Sequence, residues 1–144
     1  MSAMKRVLLA AAMLSATALT VAGSASAFAA APARPSASHV LKLTLTGVQL
    51  AQSGAGAYTE SATLQKGANV YGYGAFSCTL SGAKARCAAA FALPGGVLDG
   101  TFTISAAAGT YRGTLGGGTG SYAKAKGTIT GRASGSTSTL TLTY

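Results

Sequence analysis

Residues 70–93 read "VYGYGAFSCTLSGAKARCAAAFAL", and the two halves of this stretch mirror each other about Ser81-Gly82. Each half alternates large apolar with small or polar residues, and the Ser-Gly pair between them is a turn signal, so the stretch reads as a β-hairpin. If the hairpin is symmetric about that turn, facing residues have numbers that sum to 165, which sets Cys78 opposite Cys87 and Phe76 opposite Ala89. A cross-strand disulfide follows, closing a short loop and contributing about 2–4 kcal/mol. The other uses of a cysteine pair fit less well. No suitably spaced histidine completes a zinc site, and no base stands ready to activate a thiol.

Alternation of the same kind recurs along the chain at 39–50, 58–65, 70–80, 84–93, 97–105, 109–115, 126–133 and 137–144. Turn signals separate these segments at Lys66-Gly67, Ser81-Gly82, Pro94-Gly95-Gly96, Gly109, the glycine run 116–121 and Ser134-Gly135. No apolar stripe of helical period accompanies them. The expected fold class is all-β, a single eight-stranded antiparallel β-barrel, the strand number at which a sheet closes around side chains or one small ligand. A two-sheet sandwich is the alternative.

The segment before the first strand belongs to export rather than to the barrel. Lys5 and Arg6 precede an apolar run from Val7 to about Ala22, and Ala25-Ser26-Ala27 supplies small residues for cleavage, so residues 1–27 read as a signal peptide. A membrane anchor would need about 20 apolar residues and no cleavage site. Residues 28–38, rich in Ala, Pro and Ser, read as a disordered leader, and residues 39–144 as the barrel domain. A secreted location follows, and it is one in which the disulfide persists.

Composition bounds the partners. The chain carries 11 Lys and Arg against 2 Asp and Glu, a formal net charge of +9. Such an excess favours association with anionic surfaces of the cell envelope. The cations are spread out and lack interleaved aromatics, so nucleic acid is not expected as a partner.

Taking the large apolar phase of each strand as inward puts Leu41, Leu43 and Leu45, Phe76, Cys78 and Leu80, Cys87, Phe91 and Leu93, Leu98, Phe102 and Ile104, and Leu140 and Leu142 inside. Lys42, Lys84, Arg86, Asp99, Arg112, Lys126 and Arg132 then face outward, as do Tyr71 and Tyr73, which suit a subunit interface. Glu60 alone breaks the pattern, on the inward phase between Tyr58 and Ala62. A carboxylate among apolar groups has its charged form disfavoured, which suits proton transfer or holding a polar group of a ligand. The alternative is a later strand start or a bulge that leaves Glu60 at the solvated rim.

Gly118-Thr119-Gly120-Ser121-Tyr122-Ala123 formally matches a dinucleotide fingerprint. That motif also needs a following helix and an acidic residue about 20 positions on, and neither is present after Asp99. The glycines instead serve a tight connection, with Tyr122 packing over one barrel end.

The run "GTLGGGTGSYAKAKGTIT" resembles the signature shared by the allene oxide cyclase barrel family and the dirigent proteins, carried here by Gly117, Gly118, Thr119, Gly120, Tyr122, Ala125, Lys126 and Gly127. "LQKGANVYGYGAFSC" and "CAAAFALPGGVLDGTFT" extend the likeness over roughly residues 64–133, closest to secreted bacterial members. The resemblance implies an eight-stranded barrel with a largely apolar cavity, often oligomeric as a trimer or dimer, that acts on small lipophilic or phenolic molecules. It implies cyclisation or isomerisation with no metal or organic cofactor. Carried onto this chain, it makes Glu60 the catalytic base or electrostatic stabiliser, with Tyr58, Tyr111 and Tyr144 as hydrogen-bond partners and Phe76, Phe91 and Phe102 shaping the ligand cavity. The competing function is a non-enzymatic barrel that binds a lipophile or serves as a cationic module at the cell surface, suggested by the thin stock of catalytic groups and the single histidine, His39.

Overall fold

The computed structural model describes residues 38–144, so the segment read as a signal peptide, and that read as a leader apart from Ser38, lie outside the described residues. Eight strands follow in order: β1 (Val40–Gly54), β2 (Ala57–Lys66), β3 (Asn69–Ser81), β4 (Lys84–Leu93), β5 (Gly96–Ser105), β6 (Thr110–Gly118), β7 (Gly127–Ser134) and β8 (Thr137–Thr143). Each pairs antiparallel with its sequence neighbour, and β1 closes on β8 through pairs from Val40 with Thr143 to Leu45 with Ser138. The result is a closed barrel. Closure pairs both edges of the sheet along the body of the barrel, which is how an all-β domain limits edge-to-edge association, and leaves β1 beyond Leu45 paired with β2 alone.

The β3–β4 hairpin has the register that its symmetry predicts. Tyr73 faces Ala92, Cys78 faces Cys87 and Ser81 faces Lys84. Cys78 and Cys87 form the disulfide, with Cα atoms 4.1 Å apart and both residues buried in the interior.

The buried interior follows the predicted phase over most of each strand, with departures in β1 and β3. Phe91, Leu64, Leu98, Ile129 and Leu142 are fully buried, and no polar or charged side chain among the described residues is. An eight-stranded barrel has room for its own side chains and little more, and here inward glycines provide that room. A Cβ on Gly74 would lie 2.7 Å from the ring of Phe76, and one on Gly100 would lie 2.7 Å from Cδ1 of Ile129. Phe76 packs edge-on against Phe91 and Phe102 at 5.8 and 5.6 Å between centroids, and Phe102 meets Tyr111 at 6.0 Å. These four rings form one aromatic chain from the middle of the barrel to one end, in the edge-to-face geometry that ring quadrupoles favour.

Three sequence expectations are corrected. Leu80 is half exposed, because it stands at the rim where β3 runs past its last buried inward residue, Cys78. Tyr71 does not point outward: the β2–β3 register shifts between Leu64 and Gln65, and this irregularity turns Tyr71 against the buried core, with Lys66 Nζ 5.3 Å from its ring centre. The glycine run 116–121 is not all turn either. β6 continues through Gly118, which stays paired with Leu98, and the chain turns only at Thr119. One turn of 3-10 helix, Gly120–Tyr122, follows and is far too short for a dinucleotide helix.

That connection seals one end of the barrel. The amides of Thr119 and Ser121 donate to the carbonyls of Val97 and Gly95. Gly120 has φ 57°, a value glycine adopts freely, and its Cα side lies against the Gly95 backbone where a side chain would collide. Tyr122 is buried, donates its hydroxyl to the Pro94 carbonyl at 3.0 Å, and packs edge-on against Tyr144 at 5.6 Å. His39 stacks on Tyr144, with ring centroids 5.6 Å apart.

Candidate functional site

The opposite end is built differently, and one glycine is responsible. Gly47 has φ 59°, and the β1–β2 register shifts between Thr46 and Gln49. A glycine bulge of this kind inserts an extra residue, reverses the side-chain phase and bends the strand. Upstream, Leu41, Leu43 and Leu45 are buried inward, whereas downstream the phase shared with Glu60 and Tyr58 passes to Leu50 and Gln52, which stand beyond the packed core and are exposed, Leu50 at 68%. β1 and β2 therefore run on as a ribbon whose inner face is lined by Leu50, Gln52, Tyr58 and Glu60 around an open pocket of about 480 Å³.

Tyr58 lies directly across from Cys78, and Glu60 across from Phe76, so the disulfide and the aromatic chain form the floor of this mouth. Glu60 is half-buried, and burial raises its carboxyl above the ordinary carboxylate value. Tyr58 is raised first by burial and then by the neighbouring negative charge of Glu60, with a smaller contribution from Tyr111. The Tyr111 and Ser138 hydroxyls share a hydrogen bond of 2.9 Å, tying β6 to β8. Chemically, the mouth offers a carboxyl whose neutral form is favoured by burial, two phenols, an amide from Gln52 and an apolar floor. Such a set can hold a polar atom of a ligand while its apolar body lies on Leu50 and Phe76.

Of the residues singled out from the sequence, Glu60, Tyr58, Phe76, Phe102 and Tyr111 gather at or below this end. Phe91 is fully buried in the middle. Tyr144 sits at the sealed end with Tyr122, and the structure does not bring it to Glu60. Leu50, Gln52 and Ser138 escaped sequence reasoning. The signal for the first two was the glycine in "LTGVQLAQ", where leucines at odd positions give way to one at an even position.

The other grooves lie on the outer surface. One of about 600 Å³ crosses β1–β4, lined by small residues such as Ser61, Ala75, Ala88 and Ala90 and also by Leu50, Glu60 and Phe76, so it adjoins the mouth; another of about 580 Å³ is lined mainly by threonines and two arginines of β3–β6. No group of His, Cys, Asp and Glu among the described residues could hold a metal ion, and no helix there is long and apolar enough to cross a membrane.

Fold and mouth together define a closed eight-stranded antiparallel barrel with one sealed end and one open, carboxylate-bearing end. A solved structure with this fold is that of pyocyanin demethylase, which is 19% identical over 72% of this chain and 98% of that chain, at a TM-score of 0.60. At that identity the likeness is one of fold. No family model and no curated protein matches the sequence.

Proposed function

We propose that the protein is a secreted barrel of the allene oxide cyclase and dirigent type, which takes a small lipophilic or phenolic molecule at the Glu60 end and guides its cyclisation or isomerisation without a cofactor. The observation that carries this reading is the position of Glu60. It is the one carboxylate on the inward phase, raised by burial, facing Phe76 and sharing a pocket with Tyr58. In this role Glu60 takes up or returns a proton at the reacting carbon or oxygen, and Tyr58 and Tyr111 hold the polar end of the ligand. The fold supports the reading to the extent that a neighbour sharing it is named for a reaction on pyocyanin. The disulfide is compatible with an extracellular location.

The packed interior favours a second reading. Phe76, Phe91 and Phe102 fill the middle, so a ligand meets the mouth rather than a deep cavity, and such a barrel can bind a lipophile without turning it over. Self-association as a dimer or trimer and attachment of the cationic exterior to the anionic envelope belong to the same proposal.

The test is organic extraction of the protein purified from its secreted fraction, followed by mass spectrometry. A small molecule present at one per chain, and lost from the Glu60→Gln variant, supports the mouth as a binding site. An empty extract from folded, disulfide-bonded protein, together with equal binding of phenolic probes by wild type and Glu60→Gln, overturns it.

A further inference from the structure

The pairing register shows an order in the outer charges that the linear sequence hides. On the outer face Arg86 of β4 lies opposite Thr103 of β5, and Thr103 lies opposite Arg112 of β6. The row continues to Thr130 on β7 and Thr141 on β8. A parallel row two residues away runs from Lys84 through Ser105 and Thr110 to Arg132. With strands about 4.8 Å apart, Arg86 and Arg112 stand about 10 Å apart, and the two rows are about 7 Å apart. All four cations are exposed. Arg86 and Arg112 flank the groove of about 580 Å³, whose remaining wall includes Thr79, Thr101, Thr103 and Thr114.

Nothing on this face compensates the charge. Glu60 belongs to the mouth, and Asp99 lies four residues along β5 from Thr103, roughly 13 Å toward the other end.

We propose that this arginine–threonine face binds a phosphodiester-linked polyol polymer of the cell envelope. The proposal deepens the envelope attachment suggested above and rests on it. Each guanidinium presents a planar fork that matches two phosphate oxygens, and arginine sheds water more easily than lysine. The threonine hydroxyls between the arginines donate to and accept from polyol hydroxyls. Ordered rows of cations suit a linear chain with one charge per repeat. The outward residues of β4–β7 include no aromatic ring on which a base could stack, which disfavours a nucleic acid with the same backbone charge.

The experiment measures binding of end-labelled poly(glycerol phosphate) to the purified protein across a salt series. Polyglutamate of equal charge, phosphatidylglycerol vesicles and a single-stranded oligonucleotide serve as competing probes. With four cations engaged, the logarithm of affinity falls against the logarithm of salt with a slope of roughly −3. Arg86→Gln/Arg112→Gln binds at least about tenfold more weakly, with a slope shallower by roughly 1.4. Lys124→Gln/Lys126→Gln removes the same charge at exposed positions beyond the sealing turn and binds within about threefold of wild type. Failure of the wild type to bind overturns the envelope attachment itself. Equal weakening of both double variants keeps the attachment and overturns the assigned face. Tighter binding to polyglutamate, vesicles or the oligonucleotide overturns the phosphodiester–polyol chemistry.

Discussion

Reduction of the Cys78–Cys87 bridge isolates how much of the mouth's rigidity comes from a cross-link and how much from packing. The bridge spans a sequence separation of 9. Cross-linking a loop of that length removes denatured-state entropy equivalent to about 2.5 kcal/mol at 25 °C. Protein unfolded, reduced and refolded in reductant keeps both buried sulfurs, so it loses the constraint but little of the packing. Its urea midpoint should therefore fall by roughly 1–2 M, at a slope near the value for a small domain and slightly increased because the denatured chain expands. The Cys78→Ala/Cys87→Ala variant should lose roughly 1–2 kcal/mol more, because it also empties the space the sulfurs fill beneath Tyr58. Equilibrium urea titrations followed by far-UV circular dichroism measure all three. A loss on reduction below about 0.5 kcal/mol would refute the entropic account and show that the register alone holds the hairpin closed. Equality of the reduced protein and the alanine variant would refute the packing part.

Two further predictions concern the core and the mouth. Phe91→Ala should cost about 3–5 kcal/mol in the same titration, whereas Tyr73→Ala, on the exposed outer phase, should stay within about 0.5 kcal/mol; similar losses would show that Phe91 is not the central packing element. Because the folded carboxyl of Glu60 is raised above its unfolded value, the folded state holds the proton more tightly, and stability should decline as pH rises from the ordinary carboxylate value through the raised one. Glu60→Gln should remove that decline and exceed the wild type in stability above the window, so parallel pH–stability curves for the two proteins would place Glu60 in bulk water.

The parts of this protein that were legible in the sequence are those governed by period and local symmetry. Alternation located all eight strands, and the mirror about Ser81-Gly82 set the β3–β4 register from Tyr73 to Ser81. Symmetry could do this because a two-residue slip would have separated the cysteines and a one-residue slip would have turned every large side chain outward. What period could not reveal were the interruptions of period. The bulge at Gly47 moves Leu50 and Gln52 into the mouth, and the irregularity after Leu64 turns Tyr71 inward. Each adds or skips one residue in a pairing, and only the partner strand shows which.

The same interruptions divide the labour of the barrel. Strict alternation produces an interior so apolar that no polar side chain is fully buried, and rings and inward glycines interlock until the middle is full. A reactive carboxylate cannot sit there without a partner, since desolvation would neutralise it. The rim supplies the compromise: Glu60, across from Phe76 and, past the Gly47 bulge, across from Leu50, is half-buried and still reached by solvent. Chemistry on a barrel packed this way is confined to its rim and its exterior. Only the rim brings a carboxylate and two phenols to one apolar floor, and only the exterior of β4–β7 sets arginines and threonines in paired rows, so the two proposed binding sites draw on separate residues and can be tested apart.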